Sequence, residues 1–378
     1  MAALTDDDRI EFRLWVRDGL QRLAPLTRTR RLAESGQRAD PDLVGSLAEL
    51  GIFGFAVPEQ YGGADVGASG LAAFLIEAGR GLLPVPYLSS AVLAPAAIRW
   101  ARTEAQFAEL LAGIAEGVAR VALTVGPLDD TSPRVTREGD VWRLTGDEPT
   151  VLEADVADWF IVAAHTDTGV GLFIVDRADA GVEVTNLDSL DVTRPVAAVS
   201  WRQALAVPLG PMGNPVPAGP VLTQLQDLTR LAVAADAVGG AQHLLDISVD
   251  HAKNRIQFGR PIGAFQAIKH RCADLYVAVQ AATAAVEAAF EGLDQPRSKV
   301  PVPAAVAAIT ALETYWQAAR TAMQIHGGLA LTAEHEIGLY LKRATASQHL
   351  LGNPDQELAR LTDLVLAADY DVVQGLIG

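Results

Sequence analysis

Residues 232–276 read AVAADAVGGAQHLLDISVDHAKNRIQFGRPIGAFQAIKHRCADLY. The spacing is that of two long helices broken once, at Phe258-Gly259-Arg260-Pro261-Ile262-Gly263. Gly259 and Gly263 admit backbone angles closed to other residues, and Pro261 cannot continue a helix. Arg255, Gln257 and Phe258 therefore fall at a helix end and face whatever lies beyond it. A guanidinium, an amide and an aromatic ring together suit a phosphate, a ribose and a purine. The same three residues equally suit a buried helix corner with a surface arginine, and nothing within the stretch decides between the two.

A second cluster, Gln324-Ile325-His326-Gly327-Gly328, shifts the balance. Paired glycines after a helix let a ligand approach the backbone closely, although a lone pair is also an ordinary C-cap. Taken together, RIQFGRPIGAFQ and QIHGGLALT resemble two signature regions of the acyl-CoA dehydrogenase family, and the resemblance runs along nearly the whole chain. In that family the two regions hold the pyrophosphate and adenosine of FAD, and the FAD they hold belongs to the neighbouring protomer. The resemblance assigns this role to Arg255, Gln257, Phe258, Gln266, Gln324, Gly327 and Gly328.

Bulk properties bound the remaining possibilities. A chain of 378 residues can bury the cores of two or three domains. Charges interrupt every long apolar run, so no segment of transmembrane length and no signal peptide is visible. The single cysteine, Cys272, excludes an internal disulfide framework and a cysteine-based zinc or iron–sulfur site, and its helical surroundings suggest buried filler. A net charge of −16 argues against a nucleic-acid binder, which would show a basic face. An acidic protein can still bind an anionic CoA ester through local arginines and lysines. These features point to a soluble cytoplasmic protein without a metal.

Residues 1–118 carry helical spacing, for example at Leu14, Val16, Leu20 and Leu23. Pro58-Glu59-Gln60-Tyr61-Gly62-Gly63 is a tight turn, and the family commonly has a similar segment near the acyl pocket. Helices resume over 95–102 and 104–115 after the two prolines of LLPVPYL. From about Val118 the periodicity changes. VALTV, VWRLTG, WFIVAAH, VGLFIVD, VEVTNL and VAAVSW predict an antiparallel sandwich or barrel of roughly seven strands, over 119–208. LGPMGNPVPAGP is a connector. The last third, 209–378, predicts long helices reaching about 253, then 266–291, 304–325, 334–347 and 355–373, with a loop over 295–303. The expected fold is α+β and mainly α: an N-terminal helical domain, a middle antiparallel β-domain and a C-terminal helical bundle, the order that the resemblance also implies.

The family's reaction is α,β-dehydrogenation of an acyl-CoA thioester, in which a glutamate removes the α-proton while the flavin accepts a hydride. That glutamate sits at one of two family positions. Here the first is Leu351, in His349-Leu350-Leu351-Gly352-Asn353-Pro354, and the second is Thr229, directly before Arg230. Neither side chain accepts a proton usefully at neutral pH. Asp227, Asp236, Asp355 and Glu357 lie nearby in sequence; Asp227 and Asp236 are the substitutes to weigh as displaced bases, with surface or helix-cap roles favoured for all four. By the same resemblance Asp227 and Arg230 contact the thioester-bearing substrate. The β-domain shows a second loss, because the segments that pin the isoalloxazine ring are replaced by 123–130 (LTVGPLDD) and 148–153 (EPTVLE), where Thr124 and Asp130 are the remnants.

A chain with half of a site implies a partner with the other half. Some bacterial members of the family are α2β2 heterotetramers, and residues 335–361 resemble their non-catalytic subunit, whose relatives act on bulky acyl-CoAs such as steroid side-chain thioesters. The resemblance therefore implies a subunit that completes a shared FAD site and is inactive alone, working with a second dehydrogenase-like chain and an electron-transfer acceptor. Two alternatives stay open: a self-sufficient homo-oligomer with a displaced carboxylate base, and a non-enzymatic scaffold on this fold.

Overall fold

The computed structural model describes residues 6–377 except 38, 125, 127, 211–213, 216, 295–299 and 333. Val125 and Pro127 of the LTVGPLDD segment, much of the expected 209–220 connector and 295–299 of the expected loop thus lie outside the described residues. Six helices come first: α1 (Asp6–Leu23), α2 (Leu26–Ser35), α3 (Pro41–Glu49), α4 (Gly67–Arg80), α5 (Ala94–Trp100) and α6 (Ala108–Ala115). The two prolines at 84 and 86 are followed by a π-helix, Tyr87–Leu93, which runs into α5. In the turn at 58–63, a Cβ on Gly63 would lie 1.9 Å from the Val57 carbonyl oxygen, so only glycine closes it.

Seven strands follow: β1 (Val121–Thr124), β2 (Arg134–Glu138), β3 (Val141–Leu152), β4 (Trp159–Thr166), β5 (Gly169–Asp176), β6 (Val182–Asn186) and β7 (Val196–Pro208). The path β4-β2-β3-β7-β5 closes on itself through β4–β5, which makes a barrel, with β1 added beside β4 and β6 beside β7. The domain is not wholly antiparallel, as the sequence suggested, because β1 and β2 each pair with β4 in parallel. β2 is also absent from the sequence reading. Its RVTRE sequence buries only Val135, so apolar alternation gives no signal there. The barrel core centres on Leu144, Phe160, Phe173, Val199 and Trp201, with Phe160 and Trp201 edge to face.

The C-terminal part is α7 (Ala218–Asn254), the short strands β8 (Ile256–Gln257) and β9 (Arg260–Pro261), then α8 (Gln266–Glu291), α9 (Pro301–His326), α10 (Ile337–Leu350) and α11 (Pro354–Ile377). Residues 301–303, expected in a loop, open α9 instead: a proline in a helix's first turn gives up no intrahelical bond. Helix α9 packs against α8, α10 and α11 and buries a run of alanines, including Ala304, Ala308, Ala311, Ala318 and Ala322, which lets the neighbouring backbones approach closely. The helical N-terminal part, the β-barrel and the helical C-terminal part together are the expected α+β, mainly α fold.

By contact the chain forms two compact units, one of Arg22–Gly67 and Pro84–Leu228, the other joining most of α1 and α4 to the chain from Thr229 onward. In the second unit, α4 crosses α7 through glycines. A Cβ on Gly239 would meet the Ile76 carbonyl oxygen at 1.8 Å, and one on Gly79 would meet that of Asp236 at 2.0 Å. The buried Glu77 carboxylate of α4 bonds Arg13 and Arg17 of α1 at 2.7 and 2.8 Å. Burial raises the Glu77 pKa, but the Arg17 hydrogen bond and the Arg13 charge outweigh it and hold the carboxyl below its ordinary value. In the first unit, the buried Glu153 carboxylate accepts the Ser89 N–H at 2.9 Å, at the start of the π-helix.

Candidate functional site

The break after α7 is a miniature hairpin rather than a bare helix stop. Gln257 pairs with Arg260 and Ile256 with Pro261, which leaves Phe258-Gly259 as a two-residue turn. Both turn residues have positive φ, 53° and 75°, the condition of a type I′ turn. Glycine meets it freely; a phenylalanine adopts it at a cost. Phe258 is nevertheless 91 % exposed and packs edge-on to Phe265, over whose ring Arg260 lies at 4.2 Å. A strained, exposed aromatic held this way is a feature of recognition more than of folding.

The two sequence clusters are brought together by histidines. His251 lies in the last turn of α7, and Arg255, directly after the helix, donates its backbone N–H to the His251 carbonyl at 2.9 Å. His326 is the last residue of α9, directly before Gly327. The rings of His251 and His326 stack with centroids 4.2 Å apart, and His335 meets His326 edge-on at 5.0 Å. His326 Nδ1 donates to the Ala322 carbonyl at 2.9 Å, and His335 Nδ1 accepts the Ile337 N–H at 3.3 Å. Burial lowers the His251 pKa, helped by the charges of Arg255 and His335. It also lowers that of His326, where His251 and His335 add to it and outweigh the Ala322 hydrogen bond and Glu336. The stack is not legible in the sequence alone: His251 and His326 lie 75 positions apart by number, and only their shared proximity to Arg255 and Gly327 hints at a link.

At this joined end Arg255, Gln257, Gln266, Gln324, Gly327 and Gly328 are all exposed. A Cβ on Gly327 or Gly328 would meet nothing within 4 Å, and Gly327 holds φ 61° and ψ −139°, a conformation suited to glycine. Open backbone, one guanidinium and three amides make a donor set suited to a polyanion with hydroxyl and purine groups attached. Exposed apolar residues lie on the same two chain ends, Ile256 beside Phe258 and Leu329 and Leu331 after the glycines.

The positions that the resemblance assigns to the base look different. Leu351 caps the C-terminus of α10 and Thr229 lies half-buried within α7. The nearby carboxylates are not the surface or capping groups that the sequence suggested, except Asp355 in the first turn of α11. Asp227 is buried. Asp236, 2 % exposed, accepts from Arg343 Nη1 at 3.1 Å, and Glu357 holds Arg230 through two bonds of 2.8 Å. The Thr124 hydroxyl accepts the Ala163 N–H at 3.3 Å, and Asp130 is exposed in a turn. Cys272 is half-buried rather than buried filler. No helix among the described residues is long and apolar enough to cross a membrane, and these residues hold no metal-ligand cluster.

Residues 6–118 match the family model described as acyl-CoA dehydrogenase, N-terminal domain, and 220–363 match acyl-CoA dehydrogenase, C-terminal domain. The chain is 34 % identical to acyl-CoA dehydrogenase IpdE2 of Mycolicibacterium smegmatis over 88 % of its own length and 90 % of that protein. It superposes with a TM-score of 0.88 on a chain of the ChsE4-ChsE5 complex from Mycobacterium tuberculosis, at 27 % identity, covering 97 % of this chain and 99 % of that one. A chain of a variant of the Tcur3481-Tcur3483 steroid ACAD gives a TM-score of 0.86 at 28 % identity, over 96 % and 99 % of the two chains. Matched at both its helical ends and superposing over almost its full length, the chain belongs to the acyl-CoA dehydrogenase family.

Proposed function

We propose that the chain is one subunit of a heteromeric, FAD-dependent acyl-CoA dehydrogenase, an α2β2 assembly acting on a bulky acyl-CoA such as a steroid side-chain thioester. The observation that carries the reading is a contrast within one chain. The end that would grip a cofactor tail is open and fully furnished, while Leu351 and Thr229 occupy the positions of the base. Members of the family generally bind FAD, and the donor set fits its tail. Arg255 would pair with the pyrophosphate, Gln257, Gln266 and Gln324 would hydrogen-bond the tail, and Gly327 and Gly328 would let it lie against the backbone. Phe258 would present a face to the purine. When bound, the flavin supplies the hydride-accepting chemistry of the family.

In this reading the α-proton goes to a carboxylate of the partner, because Leu351 and Thr229 cannot accept it and Asp227, Asp236 and Glu357 are buried. Asp236 is sealed against Arg343, and its use as a base would break that buried ion pair, a costly exchange. Asp227 and Arg230 remain the proposed substrate contacts, and Arg230 must release Glu357 to reach an anionic ester. The apolar residues beside the polar cluster, Ile256, Phe258, Leu329 and Leu331, suit burial against the partner. The named steroid ACAD and the ChsE4-ChsE5 complex support both the substrate class and the two-chain assembly. An external electron-transfer protein is the proposed acceptor.

The test is expression of the chain alone and with the dehydrogenase chain encoded beside it. The reading predicts a colourless, inactive protein alone and a yellow, active complex together. A yellow homo-oligomer that oxidises an acyl-CoA unaided would replace it with the self-sufficient alternative, and a stable complex that takes up no FAD would favour the scaffold.

A further inference from the structure

The family resemblance leaves the stack of His251, His326 and His335 without a role, although it is what joins the two clusters of the cofactor-tail end. The geometry gives it two tasks. The 4.2 Å stacking of His251 on His326 ties the last turn of α7, directly before Arg255, to the last residue of α9, which precedes Gly327. His335, edge-on to His326, ties in the segment before α10. The charged groups around the stack are few. Arg255, bonded through its backbone N–H to the His251 carbonyl, acts on His251, His335 acts on both other rings, and Glu336 acts on His326. One cation therefore dominates the side nearest the open end.

We propose that this imidazole stack is the positioning element of the tail grip, and that His251 takes up a proton when a pyrophosphate settles on Arg255. The argument is electrostatic. An unpaired Arg255 repels a proton from His251. A phosphate oxygen bound to Arg255 cancels that charge and adds a negative one a helical turn away, so imidazolium becomes the favoured form. By linkage the anion then binds more tightly as the pH falls through the histidine range. The pyrophosphate diester stays fully ionised there, so the ligand contributes no titration of its own. The inference rests on the proposed role of Arg255 in holding FAD.

The experiment is calorimetric titration of FAD into the apo-form of the two-chain complex, in buffers of different ionisation heat, between about pH 6 and 8. The expected result is a fractional proton taken up per FAD and an affinity roughly three- to tenfold higher at the acid end, since one linked proton gives at most about tenfold per pH unit. In His251→Phe, which keeps a ring against His326, the uptake and the pH dependence disappear. Imidazole NMR titrations of the wild-type complex with and without FAD give the same answer without a variant: a bound-state rise in one histidine pKa supports the inference, and unmoved titrations overturn it. Pronounced FAD binding with no proton uptake, or uptake that survives in His251→Phe, also overturns it and leaves the proposed function standing. Failure of the complex to bind FAD at any pH overturns the proposed function itself.

Discussion

Arg255 illustrates how much a single side chain can be asked to do. It is exposed, and among the described residues its side chain makes no ion pair, so it meets a ligand without first breaking a bond. Arg255→Ala in the complex is expected to weaken FAD retention by about 2 kcal/mol, roughly a thirtyfold loss, read as FAD remaining after extensive dialysis. Unchanged occupancy would remove Arg255 from the site. Glu153 is the opposite case, a buried acid with an unusual pKa. Burial pushes its carboxyl up to about 7, against the pull of Ser89, the Leu88 backbone and Arg194. A raised carboxyl favours folding most at pH values where it is protonated in both states, below about 4.5. That contribution is lost as the pH rises through about 7. The loss is on the order of 3 kcal/mol, and Glu153→Gln should flatten the fall in denaturant midpoint between about pH 5 and 8 while keeping the Ser89 hydrogen bond. An unaltered pH slope in the variant would contradict the assignment. Arg255 was legible because it lies in a recognisable segment. Glu153 was legible only as a letter, since nothing local marks a glutamate that folds against a helix start 64 residues away in the chain.

Helices and strands were readable wherever burial is one-sided. Helix α7 and helix α8 follow from their spacing, and β3 through β7 from apolar runs between turns. β2 was missed because it buries one residue in five, and the start of α9 because its prolines read as loop until the first-turn exemption applies. The break between α7 and α8 was legible as a break but not as a hairpin. No rule of sequence places a phenylalanine where a type I′ turn asks for asparagine or glycine, which is why the choice points to function. Phe258→Asn is therefore expected to stabilise the isolated chain by about 1 kcal/mol, measured by chemical unfolding, and to weaken assembly or FAD retention in the complex. Gain in stability without loss of binding would make Phe258 a tolerated oddity.

At the scale of the whole molecule, the chain has the acyl-CoA dehydrogenase fold, and the proposed reading gives it an uneven set of functional parts. The proposed tail grip lies on helix ends and a hairpin of the C-terminal part, where α9 packs against α8, α10 and α11. Leu351 and Thr229, at the positions the family resemblance gives the base, cannot do the chemistry, and two of the four candidate carboxylates, Asp236 and Glu357, are committed to buried ion pairs with Arg343 and Arg230. That commitment was invisible in the sequence, because ion pairs across 107 and 127 positions leave no local trace. It is also what makes Asp236 or Glu357 an uphill choice of displaced base. The central claim is a division of labour between two polypeptides around one coenzyme. Its most direct measurement is the FAD content of the purified two-chain complex, by absorbance after denaturation, against protein concentration. The account predicts one FAD per heterodimer and none retained by this chain alone. Two FAD per heterodimer, or one per chain in the isolated protein, would contradict it.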